Sequence, residues 1–388
     1  MLVAMSKSQC FLSFAFSAFL CGSLTLVAGA AHVAGAAHDV HAAGLDGVFD
    51  AGWTTAYQSQ DSITHMHQRL HALGMDQIVL QYAAVEATHL YYPSQLDFLQ
   101  NTQYKNNQLF PKSIESAKAV GTKIWLGLYY NGDNWYTPPT ASQLDTLASW
   151  NLSVLDELHR LYGSESVIEG VYIPQEIARY YWDGLRNDAT AKTLAEHFLN
   201  PVTEAAKAKG WKVMTAPFYN QNLETPEKLQ AFFESLFAAG FKPDVLAVQD
   251  GIGASDGGRA HAETSTVGNY ERAVARACAL YNIDFWVDME FFRTDDSHAL
   301  ADSARFSAQL DTARAAGAVK IIGYDLAVLG NAGLDSLEKW KLESKNGATT
   351  GIVKAQRRSA FSKENMQYYK VNGARIFMKN TKCHYVTF

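Results

Sequence analysis

Two glutamates that end apolar, strand-like segments are the residues of this sequence best placed to do chemistry. Glu176 closes the stretch Gly-Val-Tyr-Ile-Pro-Gln-Glu, and Glu290 closes Trp-Val-Asp-Met-Glu. A strand usually ends in turn residues such as Gly, Asn, Asp or Ser, so a glutamate there is either a solvated strand end or an active-site acid. Hydrolysis of a glycosidic bond needs one carboxylic acid to protonate the leaving oxygen. It also needs a second carboxylate to attack the anomeric carbon or to activate water.

Asp288 lies two residues before Glu290, and side chains two apart in an extended strand point to the same face. We therefore expect Asp288 one layer deeper than Glu290. The spacing leaves two roles open for it, a hydrogen-bond partner or a rival nucleophile. An inverting mechanism also stays open, because it is decided by the separation of the two carboxyl groups.

The elements that must position these carboxylates form a regular series of β-rich runs separated by amphipathic helical segments. Phrases such as HALGMDQIVLQ, AKAKGWKVMTA and ARAAGAVKIIGY each contain the end of a helix, a glycine that stops it and a strand. Apolar strands that alternate with helices predict a parallel sheet buried on both faces. The predicted strands are 45–49, 77–82, 123–129, 167–173, 212–217, 245–249, 284–290 and 320–325.

Eight such units predict an α/β fold, a single (β/α)8 TIM barrel over residues 45–343. A doubly wound open sheet is the alternative, and the lack of Gly-x-Gly-x-x-Gly after the first strand weakens it. In a TIM barrel the catalytic groups lie at the carboxyl ends of the strands. Glu176 after strand four and Glu290 at the end of strand seven would then face each other across the barrel mouth.

Amide, carboxylate and aromatic side chains follow most of the other predicted strands. Amides and carboxylates hydrogen-bond hydroxyl groups, and flat aromatic rings pack on the apolar faces of sugars, so this set predicts a carbohydrate site. The predicted substrate-binding residues are Trp53, Gln81, Tyr82, Tyr129, Trp135, Gln175, Tyr219, Gln249, Asp250, Trp286, Asp288 and Tyr324.

Both termini differ in composition from the barrel. Residues 1–30 contain Lys7, a long apolar run and Ala28-Gly29-Ala30, which predicts a signal peptide and a secreted or periplasmic protein without stable membrane insertion after cleavage. An uncleaved anchor is the alternative. Residues 344–388 are rich in Lys and Arg, and we predict an extension outside the barrel, either a small extra element or a poorly ordered segment.

The overall pattern resembles clan A of the retaining glycoside hydrolases. It also resembles a family of secreted bacterial barrels formerly of unknown function. The phrases WTTAYQSQDSITHMHQRLHALGMDQIVLQY, KIWLGLYYNGDNWY and ELHRLYGSESVIEGVYIPQE carry this likeness over about residues 49–343. The resemblance implies Glu176 as general acid/base and Glu290 as nucleophile. Clan A usually has Asn before the acid/base, where this chain has Gln175, which keeps the amide but reaches farther.

The sequence leaves other functions open. A net charge of −6 argues against a nucleic-acid partner. The expected partner is a polysaccharide or oligosaccharide, and no cofactor or metal is expected. A metal-dependent hydrolase is one alternative, although His65, His67 and His71 fall on the first helix and not at strand ends. A carbohydrate-binding barrel without catalysis is another, and the glutamate pair argues against it because binding alone needs no such pair.

Overall fold

The computed structural model describes residues 44–132, 135, 139–179, 188–253, 262–293, 299–358, 367–371 and 374–378. The side chains of residues 188–189 and of those from 344 onward are not described. The predicted signal peptide, residues 1–30, lies outside these ranges. Within the part of the chain that the structure does describe, none of the helices has the length and apolar character to cross a bilayer.

Eight parallel strands close into a barrel, which confirms the predicted TIM-barrel fold. Around the barrel each strand pairs with its neighbours in the chain, and the first strand pairs with the last. Every predicted strand is present, with bounds that differ by up to two residues. The strands are β1 Gly47–Asp50, β2 Gln77–Leu80, β3 Lys123–Gly127, β4 Ile168–Ile173, β5 Lys212–Thr215, β6 Val245–Gln249, β7 Asp284–Glu290 and β8 Lys320–Tyr324.

Helical segments return the chain from the carboxyl end of each strand to the amino end of the next. The first helix shows the usual signals at both ends. The Ser59 side chain accepts a hydrogen bond from the Ser62 amide at its start, and Gly74 ends it in the left-handed conformation with φ 88°. The helices are α1 Gln60–Leu73, α2 Leu109–Val120, α3 Ala141–Tyr162, α4 Asp188–Leu194, α5 Asn200–Ala208, α6 Pro226–Ala238, α7 Val267–Tyr281, α8 Ser303–Ala316 and α9 Leu326–Arg358, with a π-helical segment Ala195–Leu199 between α4 and α5.

The core has two parts, because alternate residues of each strand point outward to the helices and inward to the barrel axis. The inward set is rich in aromatic rings, among them Phe49, Trp125, Tyr172 and Trp286. The Trp125 and Trp286 rings meet edge to face at 5.9 Å, and the Phe49 and Tyr172 rings do so at 5.2 Å. The lumen is therefore packed, and a substrate can enter only at the mouth.

The loops after β2 and β3 carry a small second sheet that the sequence pattern does not predict. It joins Ala84–Val85, His89–Leu90, Tyr104–Lys105 and Tyr129–Tyr130. The predicted third strand ended at Tyr129, but β3 ends at Gly127 and Tyr129–Tyr130 pairs with Ala84–Val85 instead. This sheet holds the loop backbone on one side of the mouth.

The closing helix α9 continues from the barrel into the segment predicted as an extension. It begins at Leu326, contains a non-helical residue at Gly330 (φ 44°) and runs to Arg358, beyond the predicted boundary of the extension at 344. The strands Gln367–Val371 and Ala374–Met378 then form an antiparallel hairpin.

Candidate active site

Glu176 lies three residues beyond β4 on a segment whose backbone is tied to its surroundings. Its side chain is half-buried, and its carbonyl oxygen accepts a hydrogen bond from the Trp135 indole at 2.6 Å. The neighbouring Gln175 is 1% exposed, and its amide nitrogen donates to the Tyr129 carbonyl at 3.0 Å. These bonds fix the direction in which Glu176 leaves the strand.

A buried ion pair joins the segment after Glu176 to the loop after β5. Arg179 Nε lies 2.8 Å from Glu224 Oε2, with side-chain exposures of 8% and 0%. The other Glu224 oxygen accepts from the Asn220 amide at 3.1 Å, and the Phe218 amide donates to the Ile177 carbonyl at 3.0 Å. The two loops therefore form one rigid unit behind Glu176.

We expect Arg179→Met to lower the free energy of unfolding by about 3 kcal/mol, because Glu224 keeps its charge in a dry site without its partner. Urea denaturation measures this loss. Arg179→Met combined with Glu224→Leu should recover part of it, since no isolated charge remains.

The matched control is Lys339→Met, which removes the cation of an exposed ion pair. Lys339 Nζ lies 3.9 Å from Glu343 Oε1 in this pair. We expect this variant to change the free energy of unfolding by less than about 0.5 kcal/mol. Equal effects of the two single substitutions would contradict the structural role of the buried pair.

Glu290 is the last residue of β7, is 6% exposed and lies in register with Tyr324 at the end of β8. Its amide donates to Asp250 Oδ1 at 3.1 Å, and its carbonyl accepts from Gln309 Nε2 at 3.1 Å. Gln309 Nε2 also donates to Asp250 Oδ2 at 2.6 Å. A residue after β6 and a residue on α8 thus fix the backbone of Glu290 on both sides.

Asp288 lies one layer below Glu290, in register with Gln249 and Ile322, and is 2% exposed. Burial raises its pKa well above the ordinary value, and the negative charges of Glu290, Asp250 and Glu176 raise it further. Both glutamates therefore lie close enough to influence one buried carboxyl group. Among the described residues Asp288 Oδ1 has no hydrogen-bond partner, so a protonated Asp288 can serve as a donor to a group in the mouth.

Three tyrosines lie near Glu176. Burial is the largest cause that raises the pKa values of Tyr82, Tyr172 and Tyr324, and the charge of Glu176 adds to it for all three. The nearby Gln81 side chain lowers the pKa of Tyr324 against these effects. The phenols keep their protons at any physiological pH and are available as hydrogen-bond donors.

The structure brings some of the predicted substrate-binding residues to the mouth. Four of them lie near the two glutamates: Gln81, Tyr82, Asp288 and Tyr324. The charge of Glu176 acts on Tyr82, Tyr324 and Asp288, and the charge of Glu290 also acts on Asp288. Trp53 is 44% exposed beside the Tyr82 ring at 6.2 Å. These residues can reach a ligand at the carboxyl ends of the strands.

Other members of the predicted set lie in packed surroundings. Trp286 pairs in register with Lys320, the first residue of β8, so it lies near the amino end of the lumen, two layers below Glu290. Tyr219 is 0% exposed and stacks on Tyr270 at 4.4 Å. Four further residues are also buried: Tyr129, Trp135, Gln175 and Asp250. Gln249 is half-buried, and its side-chain amide donates to the Ala216 carbonyl at 3.0 Å. The contact of these residues with substrate stays a prediction.

Several residues of the site were not among the sequence candidates. Asp50 ends β1, and Asp325 directly follows β8, so their positions at strand ends were a usable signal. Asp50 Oδ1 accepts from the Gly52 amide and the Thr55 hydroxyl, and burial raises its pKa to about 6. Gln309 and Arg179 carry no such signal, because their partners are far away in the sequence.

Glu271 on α7 is a buried carboxyl group behind Asp250. It is 1% exposed, and Oε2 has no hydrogen-bond partner among the described residues. Burial raises its pKa to about 8, and the charge of Asp250 adds to this. Burial likewise raises the pKa of Asp250 to about 6.

We expect the free energy of unfolding to fall as the pH rises from about 5 to about 8, because the folded protein must lose protons that Glu271 and Asp250 hold more tightly than in the unfolded chain. Glu271→Gln removes the contribution of Glu271, while Asp50, Asp250 and Asp288 keep theirs. At pH 8 the variant should be more stable than wild type by roughly 3 kcal/mol, with a flatter pH profile. Urea denaturation at a series of pH values measures the difference. A variant whose profile follows that of wild type would contradict a buried, neutral Glu271.

The histidines of α1 have ordinary structural places. His67 is buried, its Nδ1 lies 3.0 Å from the Thr122 hydroxyl, and burial lowers its pKa to about 4. His65 and His71 are exposed. In the ranges that the structure covers, no group of three or more His, Cys, Asp or Glu side chains is arranged to hold a metal ion.

Comparison with known proteins gives one family and several similar folds. The family model described as a domain of unknown function (DUF4434) matches residues 50–331, which is nearly the whole barrel. Among curated proteins none matches significantly. A proposed alpha-L-fucosidase from Bacteroides thetaiotaomicron is similar in fold, with a TM-score of 0.61, 16% identity and coverage of 76% of this chain and 92% of that chain. An endo-1,4-beta-D-mannanase from Thermotoga petrophila has a TM-score of 0.48 and 10% identity. The match covers 72% of this chain and 88% of that chain.

Proposed function

The chain belongs to the DUF4434 family of unknown function, and from its site we propose that it is a glycoside hydrolase. Its substrate is a polysaccharide, either an exopolysaccharide or a cell-wall glycan. It cleaves the O-glycosidic bond with two carboxyl groups and retains the configuration at the anomeric carbon.

The observation that carries this proposal is the convergence of two glutamates on one buried carboxyl group. Glu176 follows β4 and Glu290 ends β7, and the charge of each acts on Asp288 in the barrel mouth. Carbohydrate binding alone needs no such cluster of acids, whereas glycoside hydrolysis needs two carboxyl groups with different tasks.

In the proposed mechanism Glu176 donates its proton to the glycosidic oxygen while Glu290 attacks the anomeric carbon. The bond to the leaving sugar breaks, and an ester between the substrate and Glu290 forms. Glu176, now ionised, then takes a proton from a water molecule, whose oxygen displaces Glu290 and completes hydrolysis. At the end both glutamates have recovered their starting protonation states.

The surroundings of the pair support this division of tasks. Glu290 has its backbone fixed by Asp250 and Gln309, which suits a group that must form a bond in one geometry. A protonated Asp288 adds no third negative charge and offers a hydrogen-bond donor beneath the substrate. The phenols of Tyr82 and Tyr324 offer further donors to sugar hydroxyl groups or to Glu290.

The likeness to the proposed fucosidase adds the fold alone, because identity is 16%. We extend the proposal to location on the basis of residues 1–30, whose apolar run and small residues support export to the periplasm or the medium.

The test is reducing-end release from a panel of bacterial exopolysaccharides and plant and cell-wall glycans, with the mature wild type and the Glu176→Gln variant. We expect release by wild type, strong loss in the variant, and retained binding of the same glycan. No release from any glycan, with equal binding of one of them by both proteins, would contradict hydrolysis and support a binding barrel.

A further inference from the structure

A row of aromatic rings leads from the barrel mouth to the surface along the loops after β1 and β2. The Trp53 ring contacts Tyr82 at 6.2 Å and His89 at 5.2 Å, and the His89 ring stacks on Tyr104 at 5.0 Å. We call Trp53, His89 and Tyr104 the aromatic strip. The His89 ring also stacks on the buried Tyr91 ring at 5.8 Å, which anchors the strip to the core.

The strip is exposed although it is built of large rings. Trp53 is 44% exposed and Tyr104 is 46% exposed, while His89 between them is half-buried. Isolated exposed apolar residues are ordinary on a protein surface, but a contiguous group next to a cleft marks a binding site.

The strip rests on ordered backbone. His89 and Tyr104 are paired residues of the small second sheet, and the Tyr104 amide donates to the Thr88 carbonyl at 2.7 Å. The Tyr104 hydroxyl accepts from Gln103 Nε2 at 3.0 Å, and His89 Nδ1 lies 3.1 Å from the Thr88 hydroxyl. The rings are therefore held in place before a ligand arrives, which reduces the entropy lost on binding.

The strip is continuous with the carboxylate site. Tyr82 contacts Trp53 on one side, and its own pKa responds to the charge of Glu176 on the other. A ligand whose reacting bond lies at Glu176 and which extends over Trp53 must be longer than one sugar residue.

We propose that the aromatic strip is a subsite for pyranose residues of a glycan chain, remote from the bond that is cleaved, and that the protein acts within chains and not on terminal sugars. This inference rests on the proposed function. The C–H groups on one face of a pyranose are weakly positive and apolar, and they pack on the negative face of an aromatic ring. The two exposed rings, Trp53 and Tyr104, lie on either side of His89, and each can contact one sugar residue.

The test is affinity electrophoresis in gels containing hydroxyethylcellulose, galactomannan, xylan or dextran, with Glu176→Gln as the background so that the glycan is not consumed. We expect Trp53→Ala to weaken retardation by about tenfold and Trp53→Phe to weaken it less. Tyr104→Ala should weaken it as well, and it provides a second variant at an exposed position if Trp53→Ala is unstable. Leu280→Ala is the control, because Leu280 is 69% exposed near the end of α7, at the opposite end of the barrel.

The outcomes separate this inference from the proposed function. In the active enzyme Trp53→Ala should raise KM about tenfold on the polymer, with kcat unchanged and with little effect on its shortest cleavable oligosaccharide. Hydrolysis that is unaffected by both strip substitutions overturns the subsite and leaves the hydrolase standing. Loss of glycan retardation in the strip variants, with no hydrolysis by wild type, supports the subsite and contradicts the hydrolase. Failure of Glu176→Gln to be retarded by any of the four glycans overturns the subsite.

Discussion

Glu290→Gln should reduce hydrolysis by roughly 10⁴-fold or more, because the amide can neither attack the anomeric carbon nor carry the charge of the intermediate. The substitution keeps the size of the side chain, and the backbone bonds to Asp250 and Gln309 do not involve the carboxylate, so the fold should be retained. The measurement is the rate of reducing-end release from a panel glycan that wild type cleaves. The smaller Glu290→Ala variant should regain activity with added azide, which enters the vacated space and forms a glycosyl azide.

Asp288→Asn is the matched comparison, because Asp288 lies on the same strand one layer below and is the rival nucleophile. If Asp288 is protonated in the resting enzyme, an amide replaces a neutral group, and we expect a loss of less than about 100-fold. The opposite ranking, with an inactive Asp288→Asn and an active Glu290→Gln, would contradict the assignment of Glu290 as nucleophile.

Glu176→Gln should lower kcat/KM on a polysaccharide by about 10²- to 10⁴-fold, the usual contribution of a general acid. The loss should depend on the leaving group, because a nitrophenolate departs without protonation whereas a sugar alkoxide does not. We therefore expect the variant to form the intermediate from a nitrophenyl glycoside almost as fast as wild type and to hydrolyse it slowly. Pre-steady-state release of nitrophenol measures the two steps separately.

Glu263→Gln is the control for this experiment, since Glu263 is exposed on the loop after β6, at the same end of the barrel. It should leave the kinetics unchanged. A loss in Glu176→Gln that is equal for good and poor leaving groups would argue that Glu176 binds substrate and does not act as the acid.

The sequence was sufficient to predict the barrel and the places of its two glutamates. Strands such as 284–290 are marked by an apolar run after a helix that ends in glycine, and this local signal does not depend on distant contacts. Because parallel strands of a barrel present their carboxyl ends on one side, the order of strands then places Glu176 and Glu290 in one mouth.

Depth within the lumen was harder to predict than position along the chain. Trp286 belongs to the seventh strand, but it is only the third residue of β7 and pairs with the first residue of β8. It therefore fills the amino end of the lumen against Trp125. Tyr219 follows the fifth strand as predicted, yet it turns toward α7 and stacks on Tyr270. Strand bounds alone do not determine which way a loop residue turns.

The supporting residues and the small sheet had no local signal at all. The bond from Gln309 to Asp250 joins residues 59 apart in the sequence, and the pair Arg179–Glu224 joins residues 45 apart. The strands of the small sheet are two residues long, which is too short for periodicity to be seen. Such contacts depend on the tertiary structure, and the aromatic strip that rests on this sheet could not be found without it.

The most direct test of hydrolysis by the Glu176 and Glu290 pair is the fate of oxygen during cleavage. A panel glycan is digested in water labelled with heavy oxygen by wild type and by Glu176→Gln, and the new chain ends are examined by mass spectrometry. We expect each new reducing end made by wild type to carry one heavy oxygen and Glu176→Gln to make almost no such ends. Unsaturated ends without label, or equal cleavage by both proteins, would contradict hydrolysis by the Glu176 and Glu290 pair.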